Sequence, residues 1–455
     1  MTIHFDRKQV HDDLHKPNAP AVLDASMRRA VEHKHAAQAA IAWDALRERA
    51  HEIKAYSIEH LDELLVRFER EFIARGGRVL WAQTADEAAS RFLEICRKHG
   101  ATSVVKGKSM LSEELELNAR LTAAGVEPVE TDLGEYIVQL AGERPSHIIA
   151  PAIHMSRQDV GSLFERKLKI DYTDDPEALS EIARLRLRSR YLEAGVGMTG
   201  ANFGVAESGT VVVVENEGNG GLSSQAPPVQ IVVIGIEKVI PTLDDLVVFL
   251  QLLARSGTGQ KMTTYVHHFL GPVDGRAMYC IFVDAGRTEL LADPIARESL
   301  YCIRCGACLN VCPIYRRVGG GAYGWVYPGP IGSVITPSMI GMEDAGELPF
   351  ASTLCGACAQ ECPVKIDLPH LLVHQRARSV DEGAASSTME NSAVSSWARA
   401  MSSSRGYAYA VAAARIAGVF SPVLPWISSA VRAWSKQRSM PKVAAMTFKD
   451  WWSER

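Results

Sequence analysis

From about residue 21 to residue 75 the apolar positions recur at the spacing of amphipathic α-helices, as Leu61, Leu64 and Phe68 illustrate. Alanine, glutamate, arginine and histidine fill most of the positions between them. The pattern predicts an N-terminal helical segment, residues 1–70, that packs as a cap on the part of the chain that follows.

The next stretch alternates short apolar runs with amphipathic segments. The predicted elements are a strand at Arg78–Trp81, a helix at Ala85–His99, a strand at Ser103–Val105, a helix at about Ser112–Ala124 and a strand at Glu127–Val129. Glycines at Gly100 and Gly125 stand where two of these helices should end. Alternation of this kind predicts a parallel sheet flanked by helices.

A helical stretch around Pro176–Glu193 then leads into runs of β-branched and apolar residues. The predicted buried strands are Val211–Val214, Ile231–Ile236 and Met278–Val283. The loop Asn216–Gly221 separates the first two strands and must turn sharply. We therefore predict an α/β domain that ends near Asp284–Arg287.

The composition is that of an ordinary globular protein, with 47% hydrophobic and 22% charged residues in a chain of 455. That length predicts two or three domains. The formal net charge of -4 argues against a nucleic-acid partner, which would need a clustered basic face. The segment Met1–Lys16 has no apolar run, so we expect no signal peptide, and no stretch has the roughly 18 apolar residues of a membrane span. We expect a cytoplasmic protein, in which spaced cysteines indicate metal binding rather than disulfides.

Seven of the nine cysteines fall in two linked motifs. The motifs are Cys302-x2-Cys305-x2-Cys308-x3-Cys312-Pro313 and Cys355-x2-Cys358-x3-Cys362-Pro363. Three closely spaced thiolates can hold three irons of one cubane, and the fourth cysteine of such a run usually ligates the other cluster in two-cluster ferredoxins. The second motif lacks its first cysteine, and counting back by three from Cys355 reaches Ser352.

This crossed pattern predicts two iron–sulfur clusters, which we expect to be of the 4Fe-4S type. The ligands of the first cluster are Cys302, Cys305, Cys308 and Cys362, and those of the second are Cys312, Cys355 and Cys358, with a fourth position unassigned. A four-cysteine zinc site is the alternative, but seven thiols and two Cys-Pro endings fit it poorly.

The other two cysteines and a glycine-rich string carry weaker signals. Cys96 lies in a predicted helix and Cys280 in a predicted strand, so we interpret both as small buried residues. The string Gly195–Gly200 matches G-x-G-x-x-G, which binds dinucleotides only between a strand and a helix. A helical pattern precedes this string and a β-branched stretch follows it, so we interpret it as a glycine-rich turn.

Polar clusters of the α/β part are candidates for a ligand pocket, and some of them stand at predicted strand ends, where open α/β sheets bind ligands. The candidates are Thr131–Glu135, including Asp132 and Glu135; Asn202 with Glu207–Thr210 and Asn216–Gly221; and Lys106, Lys108 and Ser109. Turn and helix-cap roles are the alternative for each of them. No residue is assigned a catalytic role.

The run Cys302–Tyr315, the segment Tyr327–Gly332 and the run Leu354–Ile366 resemble one known family, lactate utilization protein B. This family is the iron–sulfur subunit of a three-protein bacterial L-lactate oxidation system. The α/β part agrees at Glu130–Tyr136, Pro145–His147, Gly200–Phe203 and Asn216–Asn219, and the likeness extends from about Glu71 to Trp452.

The resemblance implies a Rossmann-like lactate-utilization domain, a mainly helical two-cluster ferredoxin-type domain and a C-terminal helical tail. With the helical N terminus, the predicted parts are residues 1–70, 71–288, 289–380 and 381–455. The resemblance also implies the seven cysteines as cluster ligands and electron transfer during oxidation of L-lactate to pyruvate. The implied partners are two other lactate-utilization proteins, in an L-lactate dehydrogenase complex rather than a stand-alone enzyme.

Two other function classes stay open. The α/β domain is itself an enzyme in one of them, for example an acyl or CoA transferase with Glu207 as carboxylate nucleophile. In the other, the clusters are structural parts of a scaffold. Two adjacent clusters favour electron relay over both.

Beyond Arg376, serine and alanine dominate and predict a flexible linker. The aromatic residues behind it, such as Trp451 and Trp452, predict a docking surface for a partner. Peripheral membrane contact through Ile416–Ala430 is the alternative.

Overall fold

The computed structural model describes residues 19–143, 148–273, 275–384, 388–419 and 446–455, with scattered residues before 19 and between 432 and 444. The chain divides into two compact units, one comprising Met1–Ala384 and the other Ala385–Arg455.

Three helices open the described chain, which confirms the predicted helical N terminus. They are α1 (Ala19–Gln38), α2 (Trp43–Glu59) and α3 (Leu61–Ala74). Helix α3 buries Phe68 and Phe72 against the sheet described next. Helices α1 and α2 both pack on a later helix of the α/β part, Leu243–Thr258, and on parts of the cysteine-bearing segment. The cap therefore covers both parts of the first unit.

A six-stranded parallel sheet forms the centre of the α/β part, in the order β1-β10-β7-β4-β2-β3. Its strands are β1 (Arg78–Ala82), β2 (Ser103–Lys106), β3 (Glu127–Glu130), β4 (Val196–Thr199), β7 (Val229–Gly235) and β10 (Ala277–Val283). A second sheet, in the order β8-β5-β6-β9, contains β5 (Phe203–Val205), β6 (Thr210–Glu215), β8 (Val239–Ile240) and β9 (Tyr265–Phe269).

The helices of this part are α4 (Ala85–Lys98), α5 (Met110–Glu114), α6 (Leu117–Ala123), α7 (Leu133–Ala141), α8 (Arg157–Leu168), α9 (Pro176–Glu193), α10 (Asn219–Gln225) and α11 (Leu243–Thr258). They cover both faces of the parallel sheet. Ile231 and Val233 of β7 face the core under α4, and Val232 and Ile234 face the core under α3. Burial on both faces explains why the strand is a continuous apolar run.

The predicted glycine-rich turn at Gly195–Gly200 is wrong, because Val196–Thr199 is the central strand β4 and pairs with β2 and β7. Glycine is required at position 197 for close packing, because a Cβ there would lie 1.6 Å from the carbonyl oxygen of Ser223, on helix α10. The string therefore brings a helix close to a strand.

Two further predictions need correction. The single helix predicted at Ser112–Ala124 is two short helices, α5 and α6, separated at Glu116, which has a left-handed φ of 49°. The serine- and alanine-rich stretch beyond Arg376 is mostly helical in its described part rather than a flexible linker, since alanine favours helices.

The cysteine-bearing segment is mainly helical, as predicted. Its helices are α12 (Arg287–Ala292), α13 (Ala307–Val311), α14 (Tyr315–Val318), α15 (Gly329–Ile340), α16 (Met342–Ala345), α17 (Ala357–Gln360) and α18 (Leu368–Asp381). Leu309 and Leu371 of this segment share one hydrophobic core with Met27 of α1 and Phe249 of α11. The boundaries predicted at residues 71, 289 and 381 stay predictions.

The second unit contains α19 (Thr388–Met401), α20 (Ser404–Val419) and α21 (Phe448–Ser453). Trp451 and Trp452 are exposed in it. Most of the predicted membrane-contact segment Ile416–Ala430 lies outside the described residues. Among the residues that the structure describes, no helix is both long and apolar enough to cross a membrane.

Candidate functional site

Four cysteines from the two motifs line one small cavity. They are Cys302, Cys305, Cys308 and Cys362. The loop wraps around this cavity because Arg304 and Gly306 have left-handed φ values of 60° and 74°, so that α13 begins one residue later. All four thiols therefore face one shared space.

Backbone N–H groups point at these sulfur atoms. The amides of Arg304 and Ile366 donate to the Sγ atoms of Cys302 and Cys362, each at 3.4 Å. Burial, and then the neighbouring Cys302, raise the pKa of the Cys305 thiol to about 12, so ligation must displace its proton. Soft thiol ligands around one space, with amide donors on the sulfurs, fit an iron–sulfur cluster.

The other three motif cysteines form a second group. Cys312 and Cys358 are buried and each interacts electrostatically with the other and with Cys355, which is exposed. The backbone N–H of Ala357, followed by the Thr353 side chain, lowers the pKa of the Cys355 thiol. The fold thus brings the last cysteine of the first motif to the second motif, as the crossed pattern predicts.

Ser352, the residue at the missing cysteine position, is half-buried. Its hydroxyl accepts a hydrogen bond from the N–H of Leu354 at 3.1 Å, and its carbonyl accepts one from Arg376 at 2.8 Å. The hydroxyl therefore closes a local turn in this structure.

Basic side chains from the N-terminal helices hold the loop around Cys362. Lys34 donates to the carbonyl of Glu361 at 2.7 Å, and Arg47 donates to the carbonyl of Cys362 at 2.9 Å. His51 Nδ1 lies 2.9 Å from the carbonyl oxygen of Val364. Sequence reasoning missed these residues, because each contact joins positions more than 300 residues apart and has no local signal.

A second, larger cavity of about 380 Å³ lies between the carboxyl ends of the parallel strands and the cysteine loop. Residues that follow β2, β3, β4 and β7 line it, as does the end of α11. Ile148, Ile303, Arg304 and Cys305 line both this cavity and the cysteine cavity. The two spaces therefore share one wall.

A buried charge network lies at the cysteine end of the large cavity. Arg287 donates to both carboxylate oxygens of Glu114 at 2.9 Å and to Glu237 at 2.7 Å. The Tyr327 hydroxyl also donates to Glu114, at 2.7 Å, and the Arg304 guanidinium lies 4.4 Å from the Tyr327 ring centre. Burial raises the pKa of Glu237, but the charges of Arg287, Lys238, Arg304 and Lys54 together outweigh burial and lower the pKa of that carboxyl to about 2.

Two lysines add positive charge at the same end. Burial lowers the pKa of Lys54 to about 7 and that of Lys238 to about 8. Lys238 lines the cavity, and Lys54 donates to the carbonyl of Glu237 at 2.6 Å from behind it.

The opposite end is acidic. Lys108 lies 3.6 Å from Glu135 there, and Asp132 and Glu217 lie close to it. Burial raises the pKa of Glu135 to about 8, and burial followed by the charge of Asp132 raises the pKa of Glu217. The cavity therefore has a cationic end at the cysteine loop and an acidic end at α7.

The structure brings most of the predicted pocket residues to this cavity. Its lining includes Lys108, Ser109, Asp132, Asn202, Asn216, Glu217, Asn219 and Gly220. Lys106 is not among them, because it is buried in contact with Glu130 at 2.6 Å and Asn118 at 2.5 Å. Sequence reasoning missed Arg304, although its position between Cys302 and Cys305 was a usable signal.

Glu207, the proposed transferase nucleophile, also lies outside the lining of the cavity. Its carboxylate accepts the N–H of Leu243 at 2.7 Å, at the start of α11. Ser208 and Thr210, from the same predicted group, form a hydrogen bond with each other at 2.8 Å. These residues stabilise the second sheet and the start of a helix.

Three family models match successive parts of the chain. Residues 65–281 match the LUD domain, residues 298–366 the 4Fe-4S dicluster domain, and residues 373–455 the C-terminal part of lactate utilisation protein B.

Full-length relatives agree with these matches. Lactate utilization protein B of Oceanobacillus iheyensis is 40% identical over 427 residues, which cover 91% of this chain and 88% of the relative. The same protein of Bacillus cytotoxicus is 39% identical and covers 95% and 93%, and that of Anoxybacillus flavithermus is 40% identical and covers 96% and 94%. A crystal structure of a duf162 family protein from Deinococcus radiodurans aligns with 49% of this chain and 98% of its own, at 12% identity and a TM-score of 0.28, too low to support an argument.

Proposed function

The chain belongs to the lactate utilization protein B family, and we propose that it is the subunit that carries electrons away as L-lactate is oxidised to pyruvate. It is an iron–sulfur protein of lactate utilization. The proposed ligands are Cys302, Cys305, Cys308 and Cys362 for one cluster, and Cys312, Cys355 and Cys358 for the other.

The arrangement of the two cysteine groups carries this proposal. The first group shares a wall with the large polar cavity, and the second includes Cys355 at the surface. Iron–sulfur clusters accept and release single electrons. Outward electron transfer requires this order, with one group beside a cavity and the other at the surface.

This chain's own residues hold and charge-balance the inner group. Amides of the cysteine loop donate to the sulfurs, and Lys34 and Arg47 place positive charge beside Cys305 and Cys362. Positive charge near the sulfurs stabilises thiolates and their added electrons.

Removing two electrons and two protons from a 2-hydroxy acid is chemistry that proteins usually assign to a two-electron cofactor. The dinucleotide-like string of this chain, Gly195–Gly200, lies within a central strand. We therefore propose that the chain works in the cytoplasm with two further lactate utilization proteins, and that turnover requires all three.

The test is lactate-dependent dye reduction after anaerobic purification, first with this chain alone and then with the two partner proteins added. Activity should appear only in the mixture, with iron and acid-labile sulfide present in this chain. Cys305→Ala should abolish it, whereas Cys96→Ala, a buried cysteine far from both motifs, should retain it. Rapid turnover by the chain alone would overturn the relay proposal.

A further inference from the structure

We propose that the large cavity binds the carboxylate of a small 2-hydroxy or 2-oxo acid through Arg304 at its cationic end, with Thr199 of the cavity wall as a second hydrogen-bond donor to the ligand. The inference deepens the proposed function, on which the choice of lactate and pyruvate as ligands rests. Its structural basis is independent of electron transfer.

Two buried donors on the wall of this cavity have no hydrogen-bond acceptor among the described residues. They are Nη1 of Arg304 and Oγ1 of Thr199, which is only 1% exposed. A buried donor without an acceptor is costly, so native proteins seldom contain one without a reason. A ligand rich in acceptor oxygens would satisfy both groups.

Arg304 is available for a ligand because its present contacts are weak. Its nearest carboxylate is that of Glu237, at 3.9 Å, and this carboxylate is already held by Arg287 at 2.7 Å. The rest of the guanidinium lies over the ring of Tyr327. A planar guanidinium fixed by a ring on one side is suited to bind a carboxylate through its free N–H groups.

The distribution of charge selects the class of ligand. Arg287, Lys238 and Arg304 line the cysteine end with one carboxylate, Glu237, whereas Asp132 and Glu217 line the other end with one lysine, Lys108. A ligand with one negative charge at one end and a neutral polar group at the other fits this pattern. A doubly charged phosphate ester would place charge near the acidic end, at an electrostatic cost.

The position of the cavity places its ligand next to the first cysteine group, which is the proposed site of a cluster. Arg304 is the residue before Cys305, and both line the wall between the cavity and the cysteine group. The volume of about 380 Å³ lies in the range of small-molecule sites and exceeds the need of a three-carbon acid. Asp132 and Asn216 line part of the remaining space.

The experiment titrates sodium pyruvate and L-lactate into the anaerobically purified full chain by calorimetry. A second readout is the electron paramagnetic resonance spectrum of the reduced protein, which a ligand against the cysteine loop should shift. Neutral lactamide and inorganic phosphate are the comparison ligands. We expect pyruvate or lactate to bind, lactamide not to bind, and phosphate to bind more weakly than pyruvate.

Two variants test the named donors. Arg304→Gln should weaken binding by about 10- to 100-fold, and Arg304→Lys should weaken it less because the charge is kept. Thr199→Val removes an unsatisfied hydroxyl at constant shape, so it should weaken binding by roughly 3- to 10-fold without lowering the melting temperature or iron content. Arg297→Gln, which removes an exposed arginine close by in sequence, should leave binding unchanged.

Several outcomes would overturn the inference. Failure of both acids to bind would do so, as would equal binding by the Thr199→Val variant or tighter binding of phosphate. An Arg304→Gln variant that changes the reduction potential but not binding would assign Arg304 to charge balance of the cysteine group alone. If the acids do not bind but the three-protein mixture oxidises lactate, this inference fails and the proposed function stands; binding without activity in the mixture gives the reverse result.

Discussion

Replacement of Arg287 by methionine should destabilise the first unit strongly, because this residue neutralises two buried carboxylates. Its side chain is 2% exposed and contacts Glu114 and Glu237, which are 3% and 1% exposed. Methionine fills a similar volume without the charge. Both carboxylates would then be left without their main counter-ion.

The magnitude follows from the cost of breaking a buried ion pair, about 3–5 kcal/mol. With an unfolding entropy of about 2.1 cal/mol/K per residue, the first unit, Met1–Ala384, should lose roughly 4–6 °C in melting temperature. Arg184→Met is the matched control, because it removes an arginine from an exposed pair with Glu181 and should leave the melting temperature nearly unchanged. Adding Glu114→Gln and Glu237→Gln to Arg287→Met should recover part of the loss, since no buried charge is left uncompensated.

The pH dependence of the melting temperature provides a second test of this explanation. In the native chain the pKa of Glu237 is lowered to about 2 from 4.5, so its stabilising contribution is complete above about pH 4.5 and is lost only below that value. Without Arg287, burial should raise the pKa of this carboxyl, and proton uptake should reduce the cost of burying it. The difference in melting temperature between the native chain and the Arg287→Met variant should therefore become smaller as the pH falls from 8 to 5.

Anaerobic scanning calorimetry across this pH range measures the effect. If the variant melts within about 1 °C of the native chain at pH 8, the ion network does not stabilise the first unit as argued. A melting-temperature difference that grows as the pH falls would refute the electrostatic explanation.

Three further predictions concern the clusters and the tail. Cys305→Ala should remove about half of the iron and eliminate one set of paramagnetic signals, and Cys358→Ala should eliminate the other set. Exposure of Cys355 and the lack of a fourth thiol predict that the second cluster converts to a three-iron form in air, and Ser352→Cys should suppress the signal of that form. Deletion of residues 385–455 should leave iron and sulfide content unchanged while weakening association with the partner proteins in gel filtration; loss of iron would make the tail part of the core.

The parallel sheet could be predicted from sequence because its signal is local. Buried strands such as Ile231–Ile236 are continuous apolar runs, and their flanking helices end at glycines. The strand Val196–Thr199 was missed, since Gly197 and the flanking Gly195 and Gly200 resemble a turn or a nucleotide motif. The contact between Gly197 and Ser223 of a later helix explains Gly197, and such a contact has no signature in a local window.

The cysteine ligands could be proposed from sequence because their spacing is itself the signal. Only some of the residues that line the cavity beside them could be predicted. Asp132 and Asn216 line it and follow predicted strands, where α/β sheets bind ligands. Glu207 lies outside it, because its carboxylate accepts a hydrogen bond at the start of a helix instead. Sequence position cannot separate these two uses.

The α/β part and the cysteine segment are in close contact, and two glycines make that contact possible. A Cβ at Gly257 would lie 2.6 Å from Ile149 and 3.1 Å from the carbonyl oxygen of Cys305, and one at Gly235 would lie 2.6 Å from Arg287. Glycine at these positions lets α11 and β7 approach the cysteine loop and the ion network directly. Since protein interiors are close-packed and resist compression, the distance between the cavity and the inner thiols is fixed by the fold itself. A fixed distance is what the proposed electron transfer from a bound acid requires, and one core, which joins parts that sequence analysis separates, provides it.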